Sequence, residues 1–288
     1  MKRKLGVNTW VWAAELDDDS LETAVRRVAG MGFTAVELPV ENPGAWSVPR
    51  ARDLLGELGL EPFVVGAMSA GRNLVEASDP EISATQTYLT ECVDIAAALG
   101  ARIVAGPFYA ATGRCWRMTE VERRATYAQL VDSLTPVTRH AESVGVRLAI
   151  EPLNRYETSL MNTVEQALDA LAPLFGPGLG LALDSYHLNI EEKSITDAIV
   201  LGGEHVAHVQ VCGNDRGAVG DDHIDWPGFL DALDGIGYSG PLNLESFTAE
   251  NETIAVAASI WRPLAASPDD LARRSLEYLT RLQAERYG

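Results

Sequence analysis

Leu148-Ala149-Ile150-Glu151-Pro152-Leu153-Asn154-Arg155-Tyr156-Glu157-Thr158 sets an apolar run against one carboxylate and follows it with a polar tail. Three later stretches repeat the layout: LALDSYHLN (Leu181–Asn189), HVAHVQVCGNDR (His205–Arg216) and PLNLESF (Pro241–Phe247). Each strand-like run ends on one oxygen-bearing side chain: Glu151, Asp184, Gln210 and Glu245. Their gaps of 33, 26 and 35 residues suit successive strand-plus-helix units of a parallel barrel. Four such oxygens converging on one point repel each other and lose hydration unless a cation neutralises them. The leading reading is therefore an enzyme with a divalent metal held by Glu151, Asp184, Gln210 and Glu245.

Outward from these stretches the same alternation fills the chain. Strands are predicted at Leu5–Thr9, Ala35–Leu38, Pro62–Val65, Arg102–Ala105, Arg147–Glu151, Leu179–Asp184, Val206–Val211 and Leu242–Glu245. Eight runs separated by helix-length segments predict a single (β/α)8 TIM barrel over residues 1–288. The first crossover shows the helix signals: Asp19-Ser20 opens an amphipathic run and Gly30-Met31-Gly32 closes it. Gly59, Gly100, Gly145 and Gly237 each precede a strand in the same way. After the last strand, Thr248–Pro263 is an insertion that fits a lid or an oligomer contact, and Pro268–Leu279 is a final amphipathic helix. The part from about residue 248 is thus expected to be a C-terminal extension of the barrel.

Composition narrows the function classes. The chain has 288 residues, 47% hydrophobic and 22% charged, which is ordinary for a water-soluble globular protein. Its formal charge of −18 repels phosphate backbones, so no nucleic-acid partner is expected. Cys92, Cys115 and Cys212 lie far apart with no CxxC pair, which suits a reducing compartment. MKRKLGVNTW has no long apolar core of a signal peptide, and no run approaches a membrane span. A cytoplasmic location without membrane contact is expected.

Glu151–Thr158 (EPLNRYET) and Leu183–Glu192 (LDSYHLNIEE) resemble the corresponding segments of the D-tagatose/D-psicose (allulose) 3-epimerases, members of the xylose-isomerase-like barrel superfamily. The resemblance is strongest from about Val146 to Phe247. It implies that Glu151, Asp184, Gln210 and Glu245 bind one divalent ion, Mn²⁺ or Mg²⁺ with Co²⁺ a further candidate. It also implies that Glu157, His187 and Arg216 hold the sugar near C1–C3, and that the protein is a homodimer or homotetramer. One departure stands out: the epimerases resembled carry His-x-His where this chain reads His208-Val209-Gln210. A neutral amide oxygen remains a hard ligand that favours Mg²⁺ or Mn²⁺ over softer ions. His208 is placed on the strand face opposite Gln210, away from the metal.

The chemistry expected is proton abstraction next to a carbonyl, through an enediolate. Glu151 and Glu245, on the fifth and eighth strands, are the expected acid–base pair, and the resemblance implies the same roles. Three other outcomes stay open at this level. One is a keto-sugar or keto-inositol dehydratase or lyase, including 3-oxo-glycoside cleavage, and another is a hydroxypyruvate-type isomerase. The third is a sugar-binding barrel without catalysis. Trp10, Trp12, Met68, Phe108 and Trp116 are candidates for an apolar wall beyond the reacting carbons, and Glu37 either joins them or braces a loop.

Overall fold

The protein is described by a computed structural model covering residues 1–247, 255–256 and 258–288. Eight parallel strands close into one barrel in chain order: β1 (Leu5–Asn8), β2 (Ala35–Val40), β3 (Glu61–Gly66), β4 (Ile103–Gly106), β5 (Arg147–Ile150), β6 (Leu179–Asp184), β7 (Val206–Val211) and β8 (Leu242–Leu244). The crossovers carry α1 (Asp18–Met31), α2 (Val48–Leu58), α3 (Asp79–Leu99), α4 (Glu120–Ser143), α5 (Val164–Leu171), α6 (Ser185–Glu191), α7 (Ile195–Gly202) and α8 (Trp226–Gly235). A long final helix, α9 (Pro268–Tyr287), follows the last strand. The single TIM barrel read from the sequence is the observed architecture. Much of the 248–263 stretch, expected as a lid or contact segment, lies outside the described residues.

Alternation along each strand sorts the side chains. Val36, Leu38, Leu148, Ile150, Leu181, Leu183, Val209 and Val211 face outward and join the continuous core under the helices. Inside the barrel a small separate cluster of Ala105, Ala149 and Ala182, flanked by Ile103 and Ala207, forms a packed floor. Polar groups are kept for the layer above it, at the C-terminal strand ends. Gly6 makes room there: a Cβ at this position would lie 1.8 Å from Asn243 Oδ1.

Helix ends follow their capping chemistry. The first helix begins earlier than Asp19-Ser20 suggested, because Asp17 is the N-cap and forms a capping box with Ser20. Gly32, Gly59, Gly100, Gly145 and Gly237 all take positive φ before a strand. Strand β2 runs past Leu38 through Pro39. This is tolerable because β1 stops opposite Glu37, leaving Pro39 with a strand neighbour on one side alone.

The N-terminal rim of the barrel is tied to α9 and α8 through Asp234. Its carboxylate accepts from Arg3 Nη2 at 2.7 Å, Tyr287 Oη at 2.8 Å and Arg286 Nε at 3.1 Å. Burial would raise this carboxyl, but the hydrogen bonds from Tyr287, Arg3 and Arg286 outweigh it and hold it at about 2. A folded-state value below the unfolded one stabilises the fold above pH ~4, and that share is lost as pH falls towards ~2. Asp234→Asn is expected to lower stability by about 1 kcal/mol at pH 7, the partial solvation of the carboxylate limiting the effect. Urea unfolding of both proteins at pH 7 and pH 3 checks this; an equal penalty at both pH values refutes the linkage.

Candidate active site

Glu151 follows β5 directly, Asp184 ends β6, Gln210 lies near the end of β7, and Glu245 follows β8. All four are buried. One carboxylate oxygen each of Glu151, Asp184 and Glu245 lies within 4.8 Å of the others. Asp184 divides its oxygens between two tasks. Oδ1 caps α6 by accepting from the Tyr186 and His187 amides at 2.6 and 3.3 Å, while Oδ2 has no protein partner. Glu151 Oε1 and Gln210 Oε1 are likewise buried without a hydrogen-bond partner. Buried acceptors without partners are rare and point to an unseen donor or ion. Two such oxygens in the carboxylate cluster, and a third on Gln210, which is hydrogen-bonded to Glu245, fit a hard divalent cation.

The ionisation behaviour agrees. Burial first, then the charges of Glu245 and Asp184, push Glu151 far above the usual carboxylate range. Burial, then Asp184 and Glu37, do the same for Glu245. Asp184 is pushed up to about 7 by burial, partly opposed by Arg216 and by its two backbone hydrogen bonds. Without a cation these groups cannot all remain ionised.

Above the acidic cluster is a cavity of about 310 Å³. Glu151 and Glu245 line it together with Glu157, His187 and Arg216. Asp184 and Gln210 do not, so two of the four strand-end oxygens reach the cavity and two stay behind them. His187 Nδ1 accepts from the Asn154 backbone amide at 3.0 Å, which leaves the ring proton on Nε2. That nitrogen lies 3.5 Å from Glu151 Oε1. Burial, and after it the Arg216 charge, lower the imidazole well below its ordinary value, so it is a neutral donor.

Arg216 is held unusually firmly. Its guanidinium lies over the Tyr186 ring at 4.2 Å and the Phe247 ring at 4.9 Å. Nη1 donates to the Ala258 carbonyl at 2.8 Å and Nη2 to Glu157 Oε1 at 3.0 Å. Asn154 Nδ2 donates to the same Glu157 oxygen at 2.8 Å. The Arg216 backbone has φ of +66°, a strained conformation for a residue with a side chain. Arg155, by contrast, braces Glu191 through two 2.9 Å hydrogen bonds and stays out of the cavity.

Three sequence expectations need correction. His208 does not face away from Gln210. Residues two apart on a strand share a face, and His208 Nε2 meets Glu37 Oε1 at 2.6 Å inside the barrel. Glu37 is neither a wall nor a loop brace but a fully buried acceptor between His208, Gln210 and Asn8. Of the proposed apolar wall, Trp10 and Met68 line the cavity. Trp12 instead donates to Asp269 on α9, and Trp116 lies against Arg114. Phe108 fills the space beside Gly66 and Gly106, where a Cβ would come within 2.6 Å of its ring. The cavity has two acids the sequence reading missed, Glu15 and Glu41, with Trp10 Nε1 donating to Glu41 Oε1 at 3.1 Å.

A family model for xylose isomerase-like TIM barrels matches residues 25–282. The chain belongs to this family. It is 32% identical over 281 residues to a ketose 3-epimerase of Arthrobacter globiformis, covering 96% of this chain and 95% of the relative. An L-ribulose 3-epimerase of Methylomonas sp. (strain DH-1) is 30% identical over 277 residues, covering 95% and 96%. The crystal structure of a D-allulose 3-epimerase from Methylomonas sp. in complex with D-allulose superposes with a TM-score of 0.88 at 29% identity, covering 97% of each chain. Within the family, the chain therefore falls among the ketose 3-epimerases.

Proposed function

We propose that this chain is a divalent-metal-dependent ketose 3-epimerase acting on unphosphorylated sugars. The observation that carries the reading is the division of the four strand-end oxygens. The Glu151, Asp184 and Glu245 carboxylates converge within 4.8 Å and Gln210 adjoins them through its hydrogen bond to Glu245, but of the four only Glu151 and Glu245 also line the cavity. A base and an acid on two strands of one cavity suit removal of a proton from one face of a carbon and return to the other.

Glu151, Asp184, Gln210 and Glu245 would hold the ion, and their oxygen-only donor set favours Mn²⁺ or Mg²⁺, with Co²⁺ a further candidate. Bound there, the ion supplies Lewis-acid stabilisation of an enediolate. Glu151 and Glu245 exchange the proton. His187 donates from Nε2 to a sugar oxygen, Arg216 adds a fixed positive charge, and Glu157 accepts from sugar hydroxyls. Glu15 and Glu41 line the same cavity, whereas Arg216 is already engaged with Glu157. A phosphate would meet carboxylates there with no free cation among the described residues, which supports a neutral substrate.

The proposal includes a single domain over 1–288 with an extension from about 248, and a cytoplasmic homodimer or homotetramer. Apolar Val200, Leu201 and Trp261 are exposed, and among the described residues no helix is long and apolar enough to cross a membrane. Keto-sugar or keto-inositol dehydration, 3-oxo-glycoside cleavage and hydroxypyruvate isomerisation are less well supported, because the relatives that align over nearly the full chain are named as 3-epimerases. A binding barrel without catalysis leaves the paired cavity carboxylates unexplained. Product analysis by NMR in D₂O on a panel of free ketoses and keto-inositols tests the reading. The C3 epimer carrying deuterium at C3 is expected; an eliminated product, or binding without exchange, overturns it.

A further inference from the structure

We infer that Glu37, expected from the sequence only as a wall residue or a loop brace, is the positioning residue that aims the Gln210 amide oxygen at the ion; this rests on the metal reading above. An amide offers an oxygen at one end and a nitrogen at the other, and only the oxygen can ligate a hard cation. The choice between them is made by the neighbours. Gln210 Nε2 donates to Glu37 Oε2 at 3.1 Å and to Glu245 Oε1 at 2.7 Å, while Oε1 has no protein partner. Turning the amide over would set its oxygen against two carboxylate oxygens in a site closed to water. Glu245 alone does not secure the orientation, because it is itself one of the ion's own ligands in this reading. Glu37 is the partner that does not face the ion.

Glu37 is in turn fixed from two other strands. His208 Nε2 donates to Oε1 at 2.6 Å and Asn8 Nδ2 to Oε2 at 2.9 Å. The Asn8 amide has its own orientation set by a backbone donor, because Asn8 Oδ1 accepts from the Trp10 amide at 2.9 Å. Phe63 packs on the His208 ring at 5.4 Å. Glu37, His208 and Asn8 are wholly buried, and Gln210 is 1% exposed. The chain of contacts runs from the Trp10 backbone amide just after β1, through Asn8 on β1 and Glu37 on β2, to Gln210 on β7. It gives a physical reason why glutamine can occupy a position where the family resembled carries histidine: the orientation an imidazole ring would have by shape is supplied here by a carboxylate.

The test is a double-mutant cycle read as Mn²⁺ affinity by isothermal titration of metal-stripped protein, with unfolding of each metal-free variant followed in parallel. Glu37→Gln should weaken Mn²⁺ binding by roughly 10- to 100-fold in the parent, the usual effect of losing an outer partner of a metal ligand. In a Gln210→Ala background the same change should weaken binding by no more than about 2-fold, because there is no amide left to orient. If Glu37→Gln does not fold, Glu37→Asp, which keeps the charge but shortens the reach, takes its place in the cycle. An equal loss in both backgrounds means that Glu37 acts through charge or general packing and overturns the inference. So does an unchanged affinity in the parent background. A parent protein that takes up no Mn²⁺ overturns the metal reading, and this inference with it.

Discussion

Replacing Glu151 or Glu245 by glutamine is expected to leave a folded protein whose exchange of solvent hydrogen into a ketose falls by at least about 10³-fold. A proton on carbon next to a carbonyl is removed only by a base in contact with it, and of the four strand-end oxygen residues these two carboxylates are the ones that reach the cavity. The fold should not suffer. Burial raises Glu151, Asp184 and Glu245 in the metal-free protein, and the neighbouring carboxylates raise Glu151 and Glu245 further, so a neutral amide at either of those two positions relieves a strained cluster. Metal-free variants should therefore melt no lower than the metal-free parent. Deuterium incorporation followed by NMR gives the rate and a thermal scan gives the fold. Exchange persisting in both variants would show that other groups move the proton.

Removal of divalent ions is the second large effect. A chelator should abolish epimerisation, and Mn²⁺ or Mg²⁺ should restore it. The acid–base state of the cluster adds a sharper expectation. Asp184 lies at about 7 without metal, and Glu151 and Glu245 are also raised, so protons and the ion compete for the same oxygens. Apparent Mn²⁺ affinity should rise by at least about tenfold between pH 6 and pH 8, with protons released on binding. Saturation at about 100 times Kd stabilises a fold by roughly 2.7 kcal/mol, which for a chain of this size is a rise of about 4–5 °C in Tm. Titration calorimetry in two buffers of different ionisation enthalpy measures the protons directly. Full turnover after chelation, or affinity flat across this range, contradicts the cluster as a metal site.

Much of the barrel is legible in the sequence because its strands are short apolar runs bounded by glycine and polar residues. Every predicted strand lies within two residues of the observed one at each end. The largest end error has a clear cause. A proline inside a strand is unusual, yet β2 runs through Pro39 to Val40, two residues past the expected end at Leu38, so that Glu41 follows it as a strand-end acid. The cluster of strand-end oxygens was legible because each of the four residues sits at or next to the C-terminal end of its strand, the face on which such barrels build their sites.

What the sequence does not display is orientation. Period-two alternation places His208 beside Gln210 and was available as a signal, yet a bulge between β6 and β7 breaks the register just before His208. The end of the Gln210 amide that faces the cluster depends on Glu37, 173 residues away in the chain. Aromatic residues were equally ambiguous. Trp10 and Trp12 are two apart, but the turn at Thr9–Val11 sends one into the cavity and the other to α9. Arg216 was carried by its motif, while the rings of Tyr186 and Phe247 that clamp it become apparent only in three dimensions.

The most direct test is a crystal of the protein soaked with Mn²⁺ and a free ketose. The expected electron density shows one ion on Glu151, Asp184, Gln210 Oε1 and Glu245, with the sugar C3 between the Glu151 and Glu245 carboxylates. An ion bound elsewhere, or a sugar with its C3 in reach of only one of these two groups, would contradict the two-base epimerase.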